Sequence, residues 1–463
     1  MRTMKILITG ATGLVGRSLL PLLKDHGHEV IALSRNPETA GVRLPIACQI
    51  LQWNPLSPNI PTGLPNQIDA VIHLCGEGLQ GRWTEKRKQA IYDSRVISTC
   101  NLRHVCLQSK LTPKVWISAS AIGYYKSSRD SSLDETDPPG DGFLSNVCKD
   151  WESETFKAEA LGVRTLAFRL GIILGSDGGA LEKMLPPFRM GLGGPLGNGD
   201  QWMSWIHVRD AVGLIVAALE NPAYRGPINA VSKYPVTNKE FTNVLAQTLK
   251  RPAIFTIPAF ALKLLFGEMS QLLLTSQKVL SQKAVDSGYR FIYPKLNNAL
   301  KVICDQVGHK MITEQWVSQP IDRVFDFFSN PMNLEILTPD FLHFQVLQCS
   351  HTKVQEGTVI DYQLKLHGIT FKWRSQISDW VSGKRFSDQQ VKGPYAFWHH
   401  THEFYESKGG TLIRDHVVYK LPGGVPGDSL AHAYVKRDLE KIFIFRREQI
   451  ESLLSRNSKS TLE

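Results

Sequence analysis

Long hydrophobic runs are missing from this 463-residue sequence. The longest, AVGLIVAAL at 211–219, falls far short of the ~20 apolar residues a membrane span requires, so no transmembrane helix is expected. The opening MRTMKILITG runs straight into a strand pattern. It lacks a separate basic region and a cleavage site, so it does not read as a signal peptide, and a cytoplasmic location is expected. Cysteine is sparse: seven residues, and no CxxC pair. An odd, unpatterned set points to reduced thiols that pack as small hydrophobes, not to a disulfide framework. Internal repeats and low-complexity tracts are lacking too, which excludes solenoid and fibrous classes. Basic residues interleaved with aromatics are also absent, so no nucleic-acid partner is expected.

What is present is the composition of a globular protein, 42% hydrophobic and 21% charged, in a chain too long for one ordinary core. Charge divides the chain. Residues 311–463 hold 18 basic and 18 acidic side chains, so the whole net charge of +10 belongs to the first 310 residues. A basic first part favours an anionic ligand, most economically a phosphorylated small molecule.

Pattern divides it in the same place. Up to residue 235, apolar runs at 5–10, 29–34, 70–75, 114–120 and 164–174 alternate with helical stretches such as GRSLLPLLKDHG at 16–27. That alternation predicts a parallel sheet covered on both faces. Residues 236–305 read as an apolar helical extension, and QVGHK at 306–310 as a linker. From 311 onward, runs rich in aromatic and β-branched residues (357–368, 370–381, 399–407, 410–421) predict an antiparallel sheet. Leu439, Ile442, Phe443, Ile450, Leu453 and Leu454 then recur at helical spacing. A sheet wrapped on one long amphipathic helix is an α+β helix-grip module that can enclose a cavity.

The sharpest motif is ILITGATGLVGRSLL. It sets Gly10, Gly13 and Gly16 after a strand and at the start of a helix. There they serve a tight turn, close approach of a pyrophosphate to the backbone, and helix–strand packing. Thr12, Leu14 and Val15 complete the candidate cradle. The second strand ends in Ser34 and Arg35, where an NAD-preferring site places a carboxylate. A guanidinium can pair with a 2′-phosphate, so NADP(H) is the expected cofactor.

These blocks, with HLCGEGL, RWTEKRKQAIYDSR, SASAIGYY, DWE, the glycine-rich run from Arg169 to Gly199, and WIHVRDAV, resemble the atypical short-chain dehydrogenase/reductases, in particular their epimerase-family group, over about residues 4–300. The resemblance implies a Rossmann-type doubly wound sheet in residues 1–305, the glycine-loop contacts, and further contacts at Leu74, Cys75, Gly76 and Arg95. Residues 311–463 resemble the START-like polyketide cyclase/dehydrase superfamily through PIDRVFDFFSNPMNLEILTPDFLHF, QQVKGPYAFWHHTHEF and GTLIRDHVVYKLPGG.

Ordinary members of the dehydrogenase superfamily carry a Tyr-x-x-x-Lys pair. Here FLSNVCKDWE puts Ser145 four residues before Lys149. An alcohol of ordinary pKa is a poor proton donor near neutrality. Substitute candidates lie in SASAIGYY: Ser118 and Ser120 to bond a substrate oxygen, and Tyr124 or Tyr125 as acid. Lys149 remains a candidate for the nicotinamide ribose. GLGGPLGNGDQWMSWIHVRD at 191–210 reads as a lid or a tightly turned loop, and the resemblance implies that it lines the substrate side with His207 and Asp210 near the cleft. In the second half, His400 and His402 of HHTH share a strand face, with His416 on the next strand. No carboxylate is visibly paired with them, so no metal is expected, and cavity-lining histidines beside an apolar ligand are favoured. The leading expectation is an NADP(H)-dependent oxidoreductase or epimerase-like enzyme acting on a small molecule. The alternatives are a non-enzymatic NADP(H)-binding regulator with a lipid-like ligand and a cyclase with an accessory nucleotide domain.

Overall fold

The computed structural model describes residues 3–44, 48–407 and 409–455. It divides into two compact units, Met1–Cys304 and Asp305–Glu463. The first is built on strands β1 (Lys5–Thr9), β2 (Glu29–Ser34), β3 (Gln49–Gln52), β4 (Ala70–His73), β5 (Val115–Ala121), β6 (Arg164–Leu170) and β7 (Gly226–Ala230). Their order is β7-β6-β5-β4-β1-β2-β3, and every pairing is parallel. Ile6, Leu7 and Ile8 of the central β1 are wholly buried, as expected for a strand with helices over both faces. The chain runs outward from β1 to β3 and then returns to β4 on the other side. This reversal opens a crevice at the carboxyl ends of β1 and β4, where such sheets bind ligands.

The helices of this unit include α1 (Leu14–Asp25), α2 (Glu85–Tyr92), α3 (Ser98–Gln108), α4 (Phe143–Phe156) and α5 (Val208–Glu220). The run expected as one strand at 164–174 is cut at Gly171. Beyond it Ile172–Leu174 leaves the sheet to pair with Trp205–His207. The helical extension is also less uniform than expected. Pro252, Pro258 and Pro294 interrupt it, since proline cannot continue a helix. It becomes the helices Asn238–Leu249 and Ala259–Phe266, a short strand Lys278–Val279 beside Ser132–Leu133, and α6 (Leu296–Gln306).

The second unit contains β8 (His309–Val317), helix α7 (Ile321–Phe328), β9 (Gln345–Cys349), β10 (Val359–Leu366), β11 (Ile369–Val381), β12 (Arg385–Lys392), β13 (Phe397–Ser407), β14 (Gly410–Lys420) and helix α8 (Gly424–Ser455). The strands form one antiparallel sheet in the order β8-β14-β13-β12-β11-β10-β9. His309 already pairs with Tyr419, so the expected linker shrinks to Val307 and Gly308. Leu439, Phe443, Ile450 and Leu454 of α8 are buried in one core with Phe325, Phe328, Trp398 and Phe404. Within this core the Trp373 ring lies 5.4 Å from Trp398, 5.5 Å from Tyr395 and 5.7 Å from Tyr362 between centroids. All seven cysteines are free thiols. Among the described residues no helix is long and apolar enough to cross a membrane.

Candidate functional site

The glycine loop is shaped by what would collide with a side chain. Gly10 has φ +68°, and a Cβ there would stand 2.5 Å from the Leu74 carbonyl oxygen and 2.9 Å from the Cys75 nitrogen. A Cβ on Gly16 would stand 2.5 Å from the Gly10 carbonyl oxygen. The Gly13 N–H closes the turn onto that same carbonyl at 3.0 Å. No side chain caps α1, whose N-cap is Gly13, so the first-turn N–H groups are free to meet an anion. Gly13 is exposed, and Thr12, Leu14 and Val15 are partly so. The residues present therefore form an open backbone cradle.

A buried histidine ties together the elements at the base of the crevice. His73 ends β4; its Nδ1 is 2.7 Å from Thr9 Oγ1, and its Nε2 is 3.1 Å from Ser98 Oγ. Burial pushes its pKa down to about 3, so it bridges β1, β4 and α3 as a neutral ring. At the end of β2, Ser34 donates to the Asn36 carbonyl at 3.1 Å, and the Asn36 side chain caps the next helix. Arg35 is exposed and close enough to Cys75 to act on its thiol electrostatically. Cys75 follows β4, so Arg35 lies near the carboxyl ends of both β2 and β4.

Arg95, expected as a phosphate contact, is engaged by neighbouring carbonyls. It lies in a π-helical turn, Asp93–Ile97, between α2 and α3. Its guanidinium donates to the carbonyls of Ile91 (3.1 Å) and Glu77 (3.0 Å) and rests over the Trp151 ring. Arg87 adds bonds to Glu77 Oε1 (2.7 Å) and the Gly78 carbonyl (2.6 Å). Two arginines thus brace the 76–78 loop from behind, leaving Gly76 exposed toward the crevice.

Ser145, at the position of the missing tyrosine, is buried, and its hydroxyl lies 2.8 Å from the Tyr124 carbonyl and 2.7 Å from the Gly140 carbonyl. It pins the loop after β5. Lys149 is exposed on α4, and Ser118 is wholly buried, spending its hydroxyl on the Ala119 carbonyl at 3.2 Å. Ser118 therefore presents no hydroxyl to a substrate. Ser120 donates to Glu152 at 2.7 Å.

Glu152 belongs to a network that the sequence did not single out. Arg169 of β6 grips it through two bonds, 2.9 and 2.8 Å, with both side chains buried. Arg169 also donates to the Tyr125 hydroxyl at 2.8 Å, which itself donates to Asn229 at 2.7 Å. Burial drives the Tyr125 pKa upward, so this hydroxyl is a held acceptor and donor and a poor acid. The Arg169 guanidinium carbon stacks 3.6 Å from the Tyr124 ring centroid. Tyr124 is half-buried, and its hydroxyl has no hydrogen-bond partner among the described residues. Of the sequence candidates, it alone combines partial exposure with an uncommitted acid.

His207 and Asp210 serve packing. Both Asp210 oxygens are taken, by the N–H groups of Ile292 (2.6 Å) and Tyr293 (2.9 Å). The His207 ring packs against Tyr293, tilted by 37° at 4.2 Å between centroids, and burial lowers its pKa to about 4. The 191–210 loop is tied to the extension by Gly197 N–H to Ile257 O (2.8 Å) and Ile257 N–H to Pro195 O (2.9 Å). This favours the tightly turned structural loop over a lid. A pH dependence follows. His73 and His207 are held neutral when folded but protonate near pH 6.5 when unfolded, so the unfolded chain binds more protons as pH falls. Stability drops on acidification below pH 6.5, by ~2 kcal/mol per histidine at pH 5. Urea unfolding of the full chain at pH 7 and pH 5 reads this, and His207→Asn removes its own share of the difference.

Residues 6–230 match the model of the NAD dependent epimerase/dehydratase family, and residues 257–303 match a domain of unknown function, DUF1731. The chain is 39% identical over 306 residues to the epimerase family protein YfhF of Bacillus subtilis, covering 65% of this chain and 99% of that protein. It is 38% identical over 309 residues to the chloroplastic SDR39U1 homolog of Arabidopsis thaliana, covering 65% of this chain and 86% of that one. Among solved structures, human epimerase family protein SDR39U1 with NADPH aligns at a TM-score of 0.58 and 34% identity, over 65% of this chain and 99% of that chain. Identity of 34–39% over 86–99% of the length of these relatives makes this chain a member of the epimerase family.

Proposed function

We propose that the first unit binds NADP(H) and performs oxidoreductase or epimerase-like chemistry on a small carbonyl compound. The observation that carries this is the open cradle of Gly10, Gly13 and Gly16 with Ser34 and Arg35, in place of a carboxylate, at the end of β2. The NADPH in the human relative's structure supports the choice of dinucleotide. When bound, the dinucleotide supplies or accepts a hydride. The chain's own part is to seat the pyrophosphate on the α1 amides and the 2′-phosphate on Arg35. Tyr124, braced by Arg169, offers the proton to the substrate oxygen. For the second unit we infer a START-like helix-grip module that holds an apolar ligand, supported by the antiparallel sheet closed on α8.

Fluorescence titration with NADPH and NADH tests the first reading. NADPH should bind tighter, and Arg35→Ala should weaken NADPH by roughly 10–100-fold, the loss of a charge-assisted contact, while leaving NADH nearly unchanged. Equal loss for both nucleotides would remove Arg35 from the 2′-phosphate. Once a carbonyl panel identifies a turned-over compound, Tyr124→Phe should reduce kcat by on the order of 100-fold or more with nucleotide affinity retained.

A further inference from the structure

On the inner face of the second sheet, polar side chains converge amid the aromatic core. Asp388 of β12 stands opposite His400 of β13, and His402 stands opposite Asp415 of β14. Directly opposed residues share a face, as do residues two apart on one strand. The register therefore points all four side chains the same way, toward Phe443 and Arg446 of α8. His416, the third ligand suggested by sequence, is opposite Thr401 and lies on the other face. Its place is taken by two carboxylates that sequence spacing did not connect with the histidines.

The contacts around the two rings are unequal. Asp415 Oδ1 lies 2.9 Å from His400 Nε2 and 2.6 Å from His402 Nδ1, the lengths of true hydrogen bonds. In the neutral tautomers that a bound cation requires, each imidazole directs its one N–H at Asp415. The second nitrogen of each ring is then a lone pair. His400 Nδ1 is 3.3 Å and His402 Nε2 is 3.6 Å from the same atom, Asp388 Oδ2. Those separations exceed the ~2.7–2.9 Å of a charge-assisted hydrogen bond. The first equals, and the second slightly exceeds, the ~3.3–3.4 Å edge between donors set tetrahedrally around an ion with bonds of about 2.0–2.1 Å. All three donor atoms lie within 4.8 Å of one another. His400 and His402 are 5% and 3% exposed.

We propose that Asp388, His400 and His402 bind one divalent first-row transition-metal ion, with Asp415 as the carboxylate that positions both imidazoles. Two imidazoles and one carboxylate suit Zn²⁺, Co²⁺ or Fe²⁺ over Mg²⁺ or Ca²⁺. A carboxylate receiving the distal N–H of a ligating histidine is the usual outer partner of such a site. Arg446, with Nη2 3.8 Å from Asp415 Oδ1, keeps that carboxylate ionised. Three protein donors leave a position for water or a ligand atom. The inference is independent of nucleotide binding by the first unit.

The test uses the full chain, stripped with chelator and titrated with Zn²⁺ against a chromophoric competitor and with Co²⁺ by visible absorption. One equivalent of Zn²⁺ per chain and Co²⁺ d–d bands of a low-symmetry site are expected. Asp388→Asn and His402→Gln, each checked for native circular dichroism, should weaken Zn²⁺ by 100-fold or more. Asp415→Asn should weaken it by about 10–100-fold and shift the Co²⁺ bands, which a merely structural residue would not do. Failure of the wild-type chain to take up either ion would overturn the proposal and leave a charge-balanced network of two carboxylates, one imidazolium and one guanidinium. Uptake unchanged in the Asp388 and His402 variants would overturn it equally.

Discussion

Replacing Arg169 by methionine is expected to lower the unfolding free energy of the full chain by about 3–5 kcal/mol, the cost of leaving one partner of a buried ion pair alone. Among the described residues Glu152 would keep the Ser120 hydroxyl alone as a hydrogen-bond partner, and the Tyr125 hydroxyl would lose its donor. The stacked support under the Tyr124 ring would go as well. Chemical denaturation of the single variants and of the double variant Arg169→Met/Glu152→Met separates the terms. A buried pair replaced as a whole by apolar side chains is often near neutral, so the double variant should recover much of the loss. A single-variant loss below ~1 kcal/mol would show that the pair is solvated and does not hold β6 to α4.

Gly10→Ala carries the second large effect. A side chain at φ +68° costs ~1–2 kcal/mol by itself, and here the Cβ would also meet the backbone of Leu74 and Cys75. β1 and β4 must then part at the mouth of the crevice. NADPH affinity is expected to fall by on the order of 100-fold or more, because the amides that cradle the pyrophosphate move with the loop. Gly27→Ala is the matched control. Gly27 also has positive φ, +79°, but nothing lies within 4 Å of its Cβ position. It should lose stability through backbone strain alone and leave NADPH binding intact. Equal behaviour of the two variants would mean that the close approach to Leu74 is not what shapes the cradle.

These two effects differ in how visible they were before the fold was known. Gly10 announces itself in a local pattern, because strand, glycine turn and helix follow one another in sequence. Arg169 and Glu152 sit 17 residues apart on different elements, and nothing in either neighbourhood marks them as partners. The edge strands β3, QILQ, and β7, GPINA, were also silent, because they carry few apolar residues and β7 contains both glycine and proline. Asp210 was placed at the cleft by its motif, yet its oxygens are consumed by the backbone at 292–293.

The sequence by itself determined the parallel sheet, the glycine cradle, the absence of a carboxylate after β2, and the switch to an antiparallel sheet closed by a helix. All of these are written in local periodicity and short-range spacing. Only the tertiary structure decided the roles of Ser145, Arg95 and Asp210 as braces, the pairing of Arg169 with Glu152, and the meeting of His400 and His402 with Asp388 and Asp415. The physical reason is the same in each case. A polar side chain's function is set by which groups satisfy it after burial, and those partners come from strands and helices whose registry no local pattern encodes.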